Sequence, residues 1–262
     1  MSVLLVEIVP QGIIFGADRN VTLSVQRQDK HAITEIRGQS QRPKVLRWPR
    51  RKALIGYVGE AQIGGIPTDE WLYDFIGDHL TFSNFADLSE SLRASVERQR
   101  SIDEGDSGAQ PLIIHLGGFE ERDDVSVPVV WYIRNTYVVA NDLYGGVRKE
   151  FESSEEFWRY FPDVSPHDIR ANLRERASQY DPFWFHQGFD LGTFNLIEQF
   201  LKGAFKVLCE SHPNHSLPDT VREWERQVRM SILTYGAYFQ AFKEPGEQYV
   251  GGGADTVSIE WP

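Results

Sequence analysis

Cysteine, long apolar runs and an excess of basic residues are all missing from this 262-residue chain. The single cysteine, Cys209, excludes an internal disulfide and is typical of a reducing compartment. No stretch approaches the ~18 consecutive apolar residues that a membrane-spanning helix needs, so we expect no membrane partner. The N-terminal residues show neither the basic region nor the cleavage motif of a signal peptide. We therefore expect a cytoplasmic protein.

The charge balance argues against a nucleic-acid partner. The formal net charge is −11, whereas proteins that bind nucleic acids normally carry a basic face. The basic run at 47–52 is a local exception, and we interpret it as the solvated tip of a hairpin.

Metal-binding patterns are also scarce. His212 and His215 are spaced three apart, but prolines flank them and no carboxylate or thiol accompanies them. The triplet Gly251–Gly253 opens no helix, so we interpret it as a tight turn or bulge and not as a phosphate loop. We expect neither a metal nor a cofactor.

What the chain does contain is enough apolar material for one large layered domain over residues 1–262. Hydrophobic residues make up 41% of the chain and aromatic residues 13%. Apolar periodicity predicts blocks of strands, two helices, strands, two helices and a last strand. Such segregated blocks favour an α+β fold, a four-layer αββα sandwich with helices outside two antiparallel sheets. The predicted helices cover about 68–79, a stretch capped by Asp87 or Ser89, 191–211 and 219–242.

One segment breaks the alternation of strands and helices. Residues 142–190 are acidic, aromatic and interrupted by prolines. We expect an irregular, partly helical insertion that could act as a lid. The strand before it is predicted at 137–140.

The first strand begins almost at the N-terminus, and a set of residues at defined spacing follows it. Gly12 lies ten residues after Ser2, and the motif "GADRNVT" comes next. The stretches "PKVLR" and "ALIGYVGEA" follow, and "EQYVGGGADTVSI" closes the chain. This order resembles the N-terminal-nucleophile hydrolases of the proteasome β-subunit and HslV type. The resemblance implies a homo-oligomeric ring; an ATPase partner cannot be inferred from the residues.

The resemblance also implies an acyl-transfer site for a peptide or amide substrate. Removal of Met1 would leave Ser2 as the nucleophile, with its own α-amino group as the base. A reference pKa of about 7.7–8.0 suits an α-amine to that role. The family pattern carries further roles onto this chain: Asp18 holds Lys44, Lys44 tunes the amine, and the N–H of Gly59 stabilises the oxyanion.

Two more positions are implied to bind substrate, and two to support the amine. The backbone of Thr22 would pair with an extended substrate, and Tyr57 would shape a specificity pocket. A buried strand tyrosine is an equally good interpretation of Tyr57. Asn20 stands where the family has arginine, and Glu247 stands where it has aspartate; both are secondary candidates.

Two other functions stay open at this point. A small-molecule amidohydrolase of the same fold would need a cramped pocket, closed by the 142–190 segment. A non-catalytic ring or scaffold subunit would retain Met1, which blocks the amine that catalysis requires.

Overall fold

A computed structural model describes residues 3–29, 32–48, 53–103, 110–137, 146–188, 191–212, 216–242 and 250–262. Its strands are β1 (Val3–Val9), β2 (Gly12–Asp18), β3 (Asn20–Asp29), β4 (Ala32–Gln41), β5 (Val45–Trp48), β6 (Ala53–Gly59), β7 (Gln62–Ile63), β8 (Ile66–Pro67), β9 (Leu112–Arg122), β10 (Val125–Thr136), β11 (Val147–Glu155), β12 (Phe183–Gly188) and β13 (Ala254–Glu260). Its helices are α1 (Thr68–Asp78), α2 (Phe85–Asp103), α3 (Ile169–Ser178), α4 (Leu191–Ser211) and α5 (Val221–Phe242), with a short 3₁₀ helix at Phe157–Tyr160.

The first sheet has the strand order β12-β1-β2-β13, with every neighbouring pair antiparallel. Every residue of β1 and β2 is buried, because apolar layers cover both faces of these two central strands. Successive side chains of β1 alternate between them: Leu4 and Val6 face one apolar cluster, and Val3 and Leu5 face another.

The second sheet has the order β11-β10-β9-β6-β5, again fully antiparallel. It stacks on the first sheet through a cluster that includes Phe15 of β2 and Leu54 of β6. Glycine makes this contact close. A Cβ on Gly117 would lie 2.8 Å from the Phe15 ring.

Helices cover the outer face of each sheet. Apolar residues of α1 and α2, such as Leu72 and Leu92, pack on the second sheet, and residues of α4 and α5, such as Phe194 and Val228, pack on the first. The layers are therefore α1/α2, the second sheet, the first sheet and α4/α5. The predicted four-layer αββα sandwich is confirmed.

The segment expected to be irregular supplies strands to both sheets. Strand β11 pairs with β10 at one edge of the second sheet, and β12 pairs with β1 at one edge of the first. Between them, Phe157 and Leu173 contribute to the cluster that separates the sheets. Successive side chains of β12 pack on opposite faces of the sheet: Phe183 and Phe185 belong to the cluster between the sheets, and Trp184 packs against the cluster on the outer face.

Two local predictions were wrong. Strand β10 ends at Thr136, so Tyr137 lies outside any strand; 138–140 lie outside the described residues. Helix α2 begins at Phe85, and its cap is Asn84, whose side-chain oxygen accepts the Asp87 N–H at 2.7 Å. The side-chain amide of Asn84 in turn donates to the Asp87 carboxylate at 2.9 Å, so the two side chains hold each other at the start of α2.

Residues 49–52, which hold most of the basic run and were expected to form a hairpin tip, lie outside the described residues. Across the described part of the chain, no helix combines the length and the apolar character that crossing a membrane would require.

Candidate active site

Asp18 is the last residue of β2, and its carboxylate lies beside the first residue of β1. The antiparallel register pairs Leu4 with Ala17, which brings the end of β2 next to the start of β1. The Val3 N–H donates to Asp18 Oδ1 at 2.9 Å. Because Val3 follows Ser2 directly, Asp18 fixes the backbone one peptide bond away from the predicted nucleophile.

Lys44 reaches the same carboxylate from the second sheet. It precedes β5, and its Nζ lies 3.1 Å from Asp18 Oδ1. The ammonium also donates to the carbonyl oxygen of Asn20. Both charged side chains are buried, with exposed fractions of 1% for Lys44 and 0% for Asp18. The ion pair therefore joins the two sheets at one end of the sandwich.

The second carboxylate oxygen of Asp18 is held by backbone groups. Oδ2 accepts the N–H of Asn20 at 3.2 Å and that of Gly251 at 3.4 Å. Gly251 has a φ of +149° and Gly252 one of +71°, so the glycine triplet forms the predicted tight turn. Sequence reasoning did not foresee that this turn donates to Asp18. The turn lies more than 200 residues after Asp18 in the sequence, so no local sequence pattern predicts that the two are close in the fold.

Burial is the largest influence on both charges of the pair. It raises the pKa of the Asp18 carboxyl, while Lys44 and the N–H groups of Val3 and Gly251 act in the opposite direction. It lowers the pKa of the Lys44 ammonium, and Asp18 opposes that shift. Each buried group thus depends on the other to stay charged.

Gly59 ends β6 on the side of the second sheet where Lys44 lies. The Lys44 carbonyl accepts the N–H of Tyr57, two residues before Gly59. Gly59 has a φ of +107°, and a Cβ there would lie 2.1 Å from the Pro111 carbonyl oxygen. Only glycine fits this backbone conformation.

Helix α1 is anchored directly after Gly59. The Thr68 hydroxyl donates to the Glu60 carbonyl at 2.8 Å, and the Thr68 N–H donates to the Ala61 carbonyl at 3.0 Å. The positive end of a helix dipole is therefore fixed near the backbone segment that follows Gly59.

The two predicted substrate-binding residues occupy different environments. Thr22 lies in β3 opposite Gln39 of β4, in a two-stranded ribbon. Tyr57 is 2% exposed and belongs to the apolar cluster between the second sheet and α1. That is the environment of a buried strand tyrosine, and burial raises the pKa of its hydroxyl.

A second charged cluster near the site was missed by sequence reasoning. Arg42 Nε donates to Asp69 Oδ1 at 2.7 Å, and the same guanidinium bonds Glu70. The Arg42 N–H also donates to the Arg19 carbonyl at 3.0 Å, which ties this cluster to the turn after Asp18.

Two predicted site residues, Ser2 and Glu247, lie outside the described residues. His215, one of the two histidines that we did not expect to bind a metal, lies outside them as well. Within the described ranges, no three His, Cys, Asp or Glu side chains are grouped so that they could hold a metal ion. The structure thus brings Asp18, Lys44 and Asn20 together, with Gly59 at the same end of the sandwich.

Comparison with known proteins gives limited information. No family model and no curated protein matches the chain. Among solved structures, it resembles a Gly-1 mutant of Anbu from Hyphomicrobium sp. strain MC1, with a TM-score of 0.45 and 14% identity over 99% of this chain and 82% of that one. It also resembles Anbu, described as an ancestral beta-subunit, from Yersinia bercovieri. That match has a TM-score of 0.46 and 11% identity over 98% of this chain and 81% of that one. Because both TM-scores are below 0.5, the layers described above rest on this chain's own strand pairing and packing.

Proposed function

We propose that this protein is an N-terminal-nucleophile hydrolase that cleaves peptide or amide bonds through an acyl-enzyme on Ser2. The observation that carries the proposal is the buried Asp18 carboxylate. Its Oδ1 accepts hydrogen bonds from both Lys44 Nζ and the Val3 N–H. A buried ion pair is costly to desolvate, so its position one peptide bond from a serine favours a chemical role.

The proposed reaction starts with Met1 removed. The free α-amine of Ser2 takes the hydroxyl proton while Oγ attacks the substrate carbonyl carbon. The Lys44 ammonium favours this step, because a nearby positive charge lowers the pKa of both the amine and the hydroxyl. The Gly59 N–H would donate to the oxyanion that forms; loss of one such donor typically costs about 10²–10³ in rate.

Collapse of the tetrahedral intermediate breaks the scissile C–N bond. The proton held by the α-ammonium passes to the leaving amine, and an ester remains on Ser2 Oγ. Water then attacks the ester, with the α-amine again accepting a proton, and the acid product leaves as Oγ is protonated. Thr22 would align an extended substrate, Tyr57 would set its first pocket, and Asn20 and Glu247 would support the amine. A homo-oligomer, cytoplasmic location and absence of a cofactor complete the proposal.

The first measurement is the intact mass of the purified protein, with N-terminal sequencing. A chain that begins at Ser2 carries the required amine. A chain that retains Met1 contradicts the proposal and favours a non-catalytic scaffold.

Labelling by a peptide β-lactone then tests the nucleophile. Attack by Ser2 Oγ opens the lactone ring, so the protein gains the whole mass of the probe, located on the N-terminal peptide. We expect Ser2→Ala to keep its thermal unfolding temperature and lose this label. Ser178→Ala, an exposed serine of α3, is the matched control and should label normally. Undiminished labelling of Ser2→Ala would rule the mechanism out.

A further inference from the structure

A cavity of about 350 Å³ lies between α4, α5 and the chain that leads into β12. Its volume is at the lower end of the ~300–1,000 Å³ range of small-molecule sites. Most of its wall is apolar and is formed by Pro182, Leu201, Ala204, Phe205, Leu208 and Met230. None of the residues of the proposed active site lines it.

Two buried polar side chains interrupt this apolar wall. Glu198 is 3% exposed and Trp224 is 2% exposed, and both line the cavity. Glu198 Oε2 and Trp224 Nε1 find no hydrogen-bond partner among the residues that the structure describes. Buried polar atoms are nearly always satisfied, because leaving one unpaired costs about 1–3 kcal/mol. Lys202 Nζ, which also lines the cavity, likewise has no hydrogen-bond partner among the described residues. The site thus offers one acceptor and two donors to an occupant.

The charges around these atoms cancel. Glu198 Oε1 lies 3.6 Å from Lys202 Nζ, and that ammonium also lies 4.7 Å from the centre of the Trp184 ring. Behind them, burial raises the pKa of Glu7 on β1 to about 8, which keeps this carboxyl protonated at neutral pH. Burial also lowers the pKa of His186 on β12 to about 4, so this imidazole stays neutral. The remaining charge, Arg226, is exposed at the rim.

We propose that this cavity binds a small neutral amphiphile, with an apolar body against α4 and α5 and a hydroxyl or primary amide head. The head donates to Glu198 Oε2 and accepts from Trp224 Nε1. A charged head would be buried next to Glu198 and Lys202, whose charges already compensate each other. The free-energy cost of desolvating the head would then exceed its electrostatic attraction to the site. This site is independent of the proposed hydrolase.

Octan-1-ol is a direct probe, measured by isothermal titration calorimetry at pH 7 on the full chain. We expect saturable binding with one site per chain. Its isomer 1-methoxyheptane, which accepts but cannot donate, should bind about two- to tenfold more weakly, as should octan-1-ol to Trp224→Phe. Trp71→Phe on α1 is the matched control and should leave the affinity unchanged.

Ala204→Trp tests the location, because the larger side chain would fill the cavity from an exposed position on α4. We expect at least tenfold weaker binding, with thermal unfolding checked separately. If this variant does not fold, Leu208→Trp replaces it. Octanoate and octylammonium should bind more weakly than the alcohol. Absence of saturable binding, an unchanged affinity in the filled variant or equal binding of octanoate would each overturn the proposal.

Discussion

Asp18 and Lys44 form a buried ion pair, and removing only one of the two charges should destabilise the fold. Their side chains are almost fully buried, and backbone N–H groups satisfy the rest of the carboxylate. Removing one partner of such a pair leaves an uncompensated charge in the core, whereas removing both leaves none.

We therefore expect Lys44→Met to lower the free energy of unfolding by about 3–5 kcal/mol. The double variant Lys44→Met with Asp18→Asn should recover part of that loss. Lys206→Met is the matched control: Lys206 and Glu210 are both exposed at 4.0 Å, so the change should cost less than about 1 kcal/mol. Urea unfolding at pH 7 measures all three. Equal losses in Lys44→Met and Lys206→Met would contradict the burial of the pair.

Glu7 makes stability depend on pH in the opposite sense to a typical carboxylate. Burial raises its pKa in the folded protein from 4.5 to about 8; Lys202 lowers it and Glu198 raises it further. Between these two values the unfolded chain releases the proton and the folded chain keeps it. The contribution of Glu7 to the stability of the fold is fully present below pH 4.5 and is lost as the pH rises to about 8.

Glu7→Gln should therefore stabilise the protein increasingly, relative to the parent, from pH 4.5 to 8 and level off above. Unfolding temperatures measured across this range check the prediction. Exposed Glu121→Gln on β9 is the control and should show a flat difference. A flat difference for Glu7→Gln as well would mean that folding does not raise the pKa of this carboxyl.

Among the elements, α5 approaches the first sheet over a glycine. A Cβ on Gly16 of β2 would lie 2.5 Å from Val228 Cγ1 and 2.6 Å from Ile232 Cδ1, both on α5. Glycine at this position therefore allows the close packing of helix on sheet.

We expect Gly16→Ala to lower the free energy of unfolding by about 1–3 kcal/mol, since α5 must move away. Gly77→Ala is the matched control. Gly77 lies in α1 with open space around it, so alanine should raise stability by about 0.4–1 kcal/mol. Guanidinium unfolding of both variants measures the sign of each change in the free energy of unfolding. A stabilised Gly16→Ala would contradict the close approach of α5.

The elements also show which patterns can be read from the sequence. The apolar runs of β1 and the spacing of α4 and α5 predict their bounds well, because one or two buried faces dictate the residue types. Asn84 was missed as a cap because Asp87 and Ser89 fit the same local rule. The contact between Asp18 and Lys44 was expected from a motif set, and their role in catalysis stays a prediction. The Gly251 donor and the Arg42–Asp69 cluster depend on long-range pairing that no local pattern encodes.

For the whole molecule, the segment between β10 and α4 decides how many folding units the chain has. Strand β11 closes one edge of the second sheet, and β12 closes one edge of the first. Phe157, Phe183 and Phe185 fill part of the cluster between the sheets. A segment that supplies core residues and two edge strands should not unfold separately from the rest.

We expect a single cooperative thermal transition. Far-ultraviolet and near-ultraviolet circular dichroism should follow the same curve. Deletion of 147–188 should prevent folding, because it exposes the apolar cluster between the sheets to water. The matched control shortens the β3–β4 ribbon by removing 24–37, a stretch whose described residues pair across the ribbon from Ser24↔Arg37 to Asp29↔Ala32. That variant should keep one transition. A separate early transition in the parent protein, or a folded 147–188 deletion, would instead make this segment an independent lid.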